Sequence, residues 1–375
     1  MSTRRQFVKT SVLMAGALGT SLAPGLSARA HAAGRSSAAP LRVLVLGGTG
    51  FLGPHVVRAL VERGHQPTLF NRGRTKPTMF TELYTGLENL VGDRNGDISA
   101  LRGGTWDAVI DDSGMTPQQV RATAEMLKDS VGQYLFTSTR GVYMDYTRTP
   151  MDEDAPVGPP GVPEEKWEGY SPLKALAERE VHKVFPRSTT IIRPPQITGP
   201  GDGTDRFTYW YDRVDRGGEV LAPGDPTDHV QYSDARDLSE FYVHLLERKT
   251  AGVFNIGGPA SPLTSAEFLY GLRANTAAPI SFTWVDWDFL ESQGLGEREL
   301  PGWRAPRGRY LNNARMDNRR AIAAGLRFRP LSVTARDTLA WRRSITGEDG
   351  GPLRAGLSAE RERAVLAAWR ARAGA

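Results

Sequence analysis

Tyr170 and Lys174 stand four positions apart, and Thr139 lies thirty-one residues before the tyrosine. No other Tyr-x-x-x-Lys occurs in the chain. On a helix that spacing puts both side chains on one face, and residues 170–184 carry a helical pattern. Pro172 is compatible with it, because the N–H groups of a helix's first turn have no internal partner. A phenol with a pKa near 10 is a poor base at neutral pH, and lowering it by about 3 units takes roughly 4 kcal/mol of preference for the phenolate. An ammonium at about 4 Å supplies energy of that order in a partly buried site. The three residues therefore predict proton exchange with an alcohol or carbonyl oxygen. Thr139 would hold the oxygen, Tyr170 would be the acid/base, and Lys174 would tune it. The competing reading is a surface Tyr and Lys of no consequence.

Such a set needs a partner for the electrons, and the chain offers a place for one. Residues 41–46 are an apolar run short enough for a buried strand, and 51–63 repeat apolar residues at helical spacing. Between them lies G-x-x-G-x-x-G at Gly47, Gly50 and Gly53. Strand, glycine turn and helix together are the context of a dinucleotide-binding fingerprint. The glycines let backbone approach a pyrophosphate, and the helix N-terminus offers it free N–H groups. Gly47, Thr49, Gly50, Phe51, Leu52 and Gly53 are the candidate cofactor contacts here, with Lys174 at the nicotinamide ribose. A second strand, 67–70, ends at Asn71, Arg72, Gly73 and Arg74. About 20 residues past the glycines an acidic residue would hold the ribose 2′-hydroxyl of NAD, whereas an Arg accommodates a 2′-phosphate. Asn71 and Arg72 favour NADP, with NAD the alternative. Asp93, at the end of a third strand over 87–91, is placed either to accept from an adenine amino group or to cap a helix.

Further strands are expected at 106–110, 133–137 and 189–192, with helices at 98–102 and 117–128. Alternating strands and helices predict an α/β fold, a doubly wound parallel sheet with the ligand at the strand C-terminal ends. The expected domains are a Rossmann part over 41–193, a smaller α/β substrate-binding part over 194–345 interleaved with it, and a helical tail over 346–375.

Taken together, Gly47 to Gly53, Thr139, Val142 and Tyr143, Tyr170, Lys174 and Arg193 followed by Gly199, Pro200, Gly201 and Asp202 resemble the extended short-chain dehydrogenase/reductase superfamily. Within it the chain is similar to the NAD-dependent epimerase/dehydratase family, in its atypical branch related to chloroplast stem-loop-binding proteins. The resemblance runs from residue 41 to about residue 341. It implies a Rossmann fold, a bound nicotinamide nucleotide, and Thr139, Tyr170 and Lys174 as the catalytic Ser/Thr–Tyr–Lys set. Three departures from the family's pattern stand out. Nucleotide-sugar epimerases usually carry an Arg where Val230 stands here, and Gln196 replaces an Asn. Arg140 and Gly141 follow Thr139 where dehydratases place acidic residues. The implied activity is thus hydride transfer at a secondary alcohol or ketone, of a free sugar, glycoside or polyol rather than a nucleotide sugar. A non-catalytic nucleotide- or RNA-binding protein is the alternative.

In the second half, 205–215 is rich in aromatics that could wall a pocket or pack as core. Arg206, Tyr209 and Gln231 are the candidate substrate contacts. Short strands are expected at 229–232, 253–257 and 280–285, and Trp284, Trp287 and Trp303 are expected to pack over the site. Thr264 and Glu267 have capping-box spacing. Helices are expected at 315–325, 331–343 and 357–372.

The chain has 375 residues, a net charge of +5 and no cysteine. Disulfide and thiol chemistry are excluded. Residues 1–32 read as a leader. Arg4, Arg5, Phe7 and Lys9 resemble the twin-arginine export motif, an apolar stretch without charge follows, and Ala30, His31 and Ala32 form a small-x-small cleavage pattern. Residues 33–40 are a linker. Without the leader 43 basic residues face 42 acidic ones, so no nucleic-acid footprint is favoured. The apolar stretch is too short and diluted for a stable membrane span. The histidines show no ligand spacing, and no metal is expected. Export of a folded, periplasmic or extracellular protein requires the nucleotide to be tightly bound, because free nucleotide is scarce outside. The expected partners are a small-molecule substrate and the twin-arginine machinery; a homodimer is left open.

Overall fold

Val43 and Val45 face one side of a strand and Leu44 and Leu46 the other, and all four are fully buried. Burial on both faces is what a central strand of a parallel sheet requires. That strand, β1 (Arg42–Leu46), lies mid-sheet among β2 (Gln66–Asn71), β3 (Asn89–Val91), β4 (Trp106–Asp111), β5 (Val131–Thr137), β6 (Thr189–Arg193) and β10 (Gly252–Asn255). The order is β3-β2-β1-β4-β5-β6-β10, with every pairing parallel. The computed structural model describes residues 39–347 and 351–373, within a unit spanning 38–375. The leader at 1–32 and most of the expected linker lie outside the described residues.

Helices α1 (Leu52–Glu62) and α5 (Ala235–Glu247) cover the face of Val43 and Val45. Helices α2 (Pro117–Leu127) and α3 (Tyr170–Val184) cover the face of Leu44 and Leu46. The chain runs from β1 outward to β2 and β3, then returns on the other side of β1 as β4. Such a reversal opens a crevice at the strands' C-terminal ends.

A second lobe is built on a different core. Short parallel pairs, β7 (Gln196–Thr198) with β9 (Tyr232–Asp234) and β8 (Gly218–Pro223) with β11 (Ile280–Val285), frame it. Its helices are α4 (Thr208–Asp215), α6 (Ser265–Arg273), α7 (Trp287–Ser292), α8 (Arg319–Ala323), α9 (Leu331–Thr346) and α10 (Ala359–Ala373). Phe207, Trp210, Phe268 and Trp303 pack ring against ring, with Trp210 and Trp303 centroids 4.5 Å apart. The Thr264 capping box forms as expected.

Three local expectations shift. The helix at 98–102 is a 3₁₀ turn, Ser99–Leu101. The strand at 229–232 starts later, as β9, because the Val230 N–H donates to Leu263 and His229 bridges only to Thr264. Strands β7 and β8 were not anticipated. Among the described residues no helix is long and apolar enough to cross a membrane, and no three metal-ligating side chains cluster.

Candidate active site

The glycine turn fits as tightly as its spacing suggests. Gly47 has φ +102°, which favours glycine. A Cβ on Gly53 would lie 2.6 Å from the Gly47 carbonyl oxygen, so α1 can meet the turn only with hydrogen there. A Cβ on Gly50 would meet nothing within 4 Å. The contrast makes a prediction. Gly53→Ala should cost about 1–3 kcal/mol of stability through overpacking. Gly50→Ala should leave the melting temperature nearly unchanged yet weaken nucleotide binding, because its methyl occupies the open space. Thermal melts and a nucleotide titration check both.

That open space is a cavity of about 490 Å³ between the turn and the ends of β2 and β4. Gly47, Thr49, Gly50, Phe51 and Leu52 line one wall. Asn71, Arg72, Arg74 and Asp93 line another. The Asn71 amide is engaged locally: its Oδ1 accepts from the Gly73 N–H at 2.8 Å and its Nδ2 donates to Asn89 at 2.7 Å. Asp93 likewise accepts from the Asn95 N–H at 3.0 Å, shaping its own turn.

Sequence reasoning missed the polar floor of this cavity. Arg94 lines it and reaches in to Asp111, at 2.5 and 2.7 Å from the two carboxylate oxygens. Asp111 also accepts from the Tyr134 hydroxyl at 2.7 Å and the Gly114 N–H at 2.9 Å. Its carboxyl is held below the usual range despite complete burial, by the Arg94 charge. No spacing rule signals a pair formed across a sheet.

A second cavity of about 530 Å³ adjoins, sharing Phe51, Asp112 and Met115 as walls. Thr139, Tyr170 and Lys174 all line it. Thr139 caps the 3₁₀ turn Arg140–Tyr143 at the end of β5, accepting from the Gly141 N–H at 3.1 Å. Tyr170 is the first residue of α3 and is 52% exposed. Burial of its phenol raises the pKa, while the Thr139 hydroxyl and the Arg206 charge draw it back. Behind them, Ser138 donates to Glu178 at 2.5 Å, and Arg193 donates to Glu178 at 2.7 Å and to the Tyr143 hydroxyl at 3.0 Å. This network ties the end of β5 to α3.

Lys174 is placed differently from the expectation. Its ammonium is buried and donates to the Gly114 carbonyl at 2.7 Å and the Thr137 carbonyl at 2.5 Å. It lies 4.0 Å above the Phe136 ring. Among the charges around the Tyr170 phenol, Arg206 is the cation that lowers its pKa, while the Lys174 ammonium donates to backbone carbonyls. Two carbonyls anchor the lysine toward the turn after β4, where the two cavities meet.

Asp112 at that junction was also missed. Burial pushes its carboxyl up to about 7, opposed by the Lys174 charge and a Thr137 hydrogen bond. Burial brings Lys174 down to about 8, opposed by Asp111 and Asp112. Asp112 binds a proton in the fold that the unfolded chain releases, so its contribution to stability falls as pH rises from about 4 to about 7. Lys174 does the reverse: stability rises from about pH 8 to about 10.5, where only the unfolded chain keeps the proton. Asp112→Asn should abolish the fall below pH 7 and, by removing a charge that holds the Lys174 proton, lower the Lys174 pKa further. Denaturant melts across pH check the sign.

Of the candidate substrate contacts, Arg206 lines the second cavity. Tyr209 does not. Its ring is buried in the second lobe, edge-on to Trp210 at 4.9 Å, because α4 is wrapped on all sides. Gln231 does not either. Its amide is consumed by the Met316 backbone, with both hydrogen bonds at 2.9 Å. Trp303 donates to Ser265 and Trp287 to Asp228, so these indoles secure the lobe and do not roof the site. The aromatics of 205–215 are core.

Residues 108–257 match the family model of the NAD dependent epimerase/dehydratase family. The chloroplast stem-loop binding protein of 41 kDa b of Arabidopsis thaliana is 28% identical over 237 residues, 60% of this chain and 60% of that protein. The 2-alkyl-3-oxoalkanoate reductase of Stenotrophomonas maltophilia is 30% identical over 270 residues, 64% of this chain and 77% of that enzyme. The structure of the Bordetella bronchiseptica enzyme WbmG in complex with NAD superposes with a TM-score of 0.59 at 16% identity, covering 83% of this chain and 96% of that one. That likeness shows the fold.

Proposed function

The chain belongs to the NAD-dependent epimerase/dehydratase family, and on that premise we propose that it is an exported oxidoreductase or epimerase acting at a secondary alcohol or ketone with a tightly held nicotinamide nucleotide. One observation carries the reading: Thr139, Tyr170 and Lys174 converge on a cavity that shares three wall residues with the cavity of the glycine turn.

The residues fit such a nucleotide. The open space at Gly50 leaves room for a pyrophosphate beside the α1 N-terminus. Lys174 spends two of its three N–H donors on carbonyls, and the third suits a ribose hydroxyl where the cavities meet. Arg72 and Arg74 on the far wall suit a 2′-phosphate, which favours NADP over NAD. When bound, the nicotinamide would supply the hydride donor or acceptor. Thr139 would hold the substrate oxygen. Tyr170 would pass the proton to or from that oxygen, with Arg206 stabilising the phenolate it leaves. A free sugar, glycoside or polyol is a substrate of the right kind, and the ketone reductase among the relatives supports carbonyl chemistry.

Titration of the mature protein, first stripped of any nucleotide it carries, with NADPH and NADH, read by nicotinamide fluorescence, tests the reading. Tighter NADPH binding, reversed by Arg72→Glu with Arg74→Glu, supports it. Equal binding unaffected by those changes removes the NADP assignment, and no binding of either removes the function.

The resemblance of the leader to the twin-arginine motif supports export, with the enzyme acting outside the cytoplasm. Accumulation of a tagged form in the cytoplasm on Arg4→Lys with Arg5→Lys, and outside it otherwise, is the expected outcome. The stem-loop-binding relative keeps one other reading alive, a nucleotide- or RNA-binding protein without turnover. The retained Tyr170 and Lys174 and the near-neutral charge without the leader weigh against it. Salt-sensitive RNA binding by the mature form would favour it.

A further inference from the structure

The outer part of the catalytic cavity is built from cations. Arg140, Arg206, Arg304 and Arg309 line it together with Lys174, against the carboxylates of Asp112 and Glu297. Both carboxylates are already committed. Glu297 pairs with Arg304, and Asp112 lies toward Lys174 at the junction of the cavities. The other three arginines donate hydrogen bonds only to neutral groups among the described residues, although the Arg206 charge also bears on the Asp202 carboxylate. Arg140 donates to the Asn313 carbonyl at 2.7 Å, Arg206 to the Thr204 hydroxyl at 3.2 Å, and Arg309 to the Tyr310 hydroxyl at 2.6 Å. Each guanidinium carries five donors, so these contacts leave most of them open, and the charges of Arg140 and Arg309 meet no carboxylate in these bonds.

The three come from separate parts of the chain. Arg140 directly follows Thr139, Arg206 precedes α4, and Arg309 sits in the 3₁₀ turn Gly308–Tyr310. Surface arginines ordinarily spread away from one another. Three that converge on one concave wall concentrate positive potential there, which draws an anion in. The field reaches the chemistry itself, because Arg206 lines the same cavity as Tyr170. The stacked rings of Tyr146 and Tyr310, 6.3 Å apart, stand beside them.

We infer that the substrate is an anion whose carboxylate or phosphate group lies close to the reacting carbon, held by Arg206, Arg140 and Arg309 while its oxygen meets Tyr170. The class is a small hydroxy or oxo acid, or a phosphorylated hydroxy ketone. The inference rests on the hydride-transfer reading above and, within secondary alcohols and ketones, puts an anion in place of the neutral sugar, glycoside or polyol.

Calorimetric binding to the full-length, nucleotide-loaded protein tests it. The probes are two pairs: acetoacetate against acetoacetamide, and dihydroxyacetone phosphate against dihydroxyacetone. At least one anion should bind about tenfold or more tightly than its neutral counterpart, as charge-assisted hydrogen bonds require. The pair that discriminates separates carboxylate from phosphate. Arg206→Gln with Arg309→Gln should bring the ratio to within about twofold, with nucleotide content unchanged. Arg206→Lys alone, which keeps the charge, should preserve part of it. Equal affinities within both pairs, no binding of either anion, or a preference that survives the double variant would each overturn the inference. Tyr170→Phe should not alter the preference. Anion preference without nucleotide binding would sink the hydride-transfer reading alone. Turnover dependent on Tyr170 with neutral substrates preferred would sink this inference alone.

Discussion

Tyr170→Phe is expected to lower kcat by about three orders of magnitude, with the bound nucleotide unchanged. The reason is local. The phenol is the one titratable hydroxyl that opens α3, stands beside the Thr139 hydroxyl and faces the cavity. Phenylalanine keeps the ring in place, and the fold asks nothing more of the oxygen. Lys174, which anchors the turn after β4, is untouched by the change. Loss of turnover with normal melting and normal nucleotide content would isolate the proton-transfer role. Undiminished turnover would remove Tyr170 from the chemistry and leave Thr139 and Lys174 without a partner.

The second large effect is on stability. Arg94→Met should destabilise the protein by about 3–5 kcal/mol, because it leaves a buried carboxylate without its counter-charge. Asp111 is completely buried, and Arg94 answers both of its oxygens. The Tyr134 hydroxyl and the backbone N–H groups of Ser113 and Gly114 remain as hydrogen-bond partners without charge, and the Lys174 ammonium, which hydrogen-bonds to carbonyls instead, is the cation left to act on it. The damage should reach the site as well. Asp111 pins the turn whose Gly114 carbonyl seats Lys174, so nucleotide affinity should fall with stability. Arg94→Lys should recover only part of the loss, since one ammonium cannot reproduce a two-pronged contact. Denaturant midpoints of the three proteins, with nucleotide binding, check the order wild type, lysine, methionine. A methionine variant as stable as the wild type would mean that Asp111 is protonated in the fold and needs no counter-charge.

What could be read from the chain divides along a physical line. The β1 turn, α1 and the Tyr170–Lys174 face are made by neighbours in sequence, and periodicity and glycine spacing report on neighbours. Thr139 was recognisable because a strand end fixes where its hydroxyl points. Lys174 was placed on the right helix and in the right cavity, but its partners are carbonyls after β4 and at the end of β5, which only the assembled sheet supplies. Asp111 and Asp112 are adjacent in sequence and meet opposite fates. One locks into the sheet's core against Arg94, and the other faces the cavity junction. Tyr209 was misread because an aromatic-rich helix looks the same in sequence whether it walls a pocket or lies within a lobe. Strand β8 was not seen because its partner, β11, lies about sixty residues on and its own run is short and ends in proline. The arginine wall arises where three loops meet, and loops leave no periodic trace.

The central claim is that both cavities hold one nicotinamide nucleotide against Tyr170. The most direct measurement is to purify the mature protein from its native compartment, denature it, and identify the released nucleotide by mass spectrometry. The account predicts NADP or NAD in near-stoichiometric amount. A protein that releases none, and binds none when it is added, would contradict the account and leave the glycine turn as scaffold.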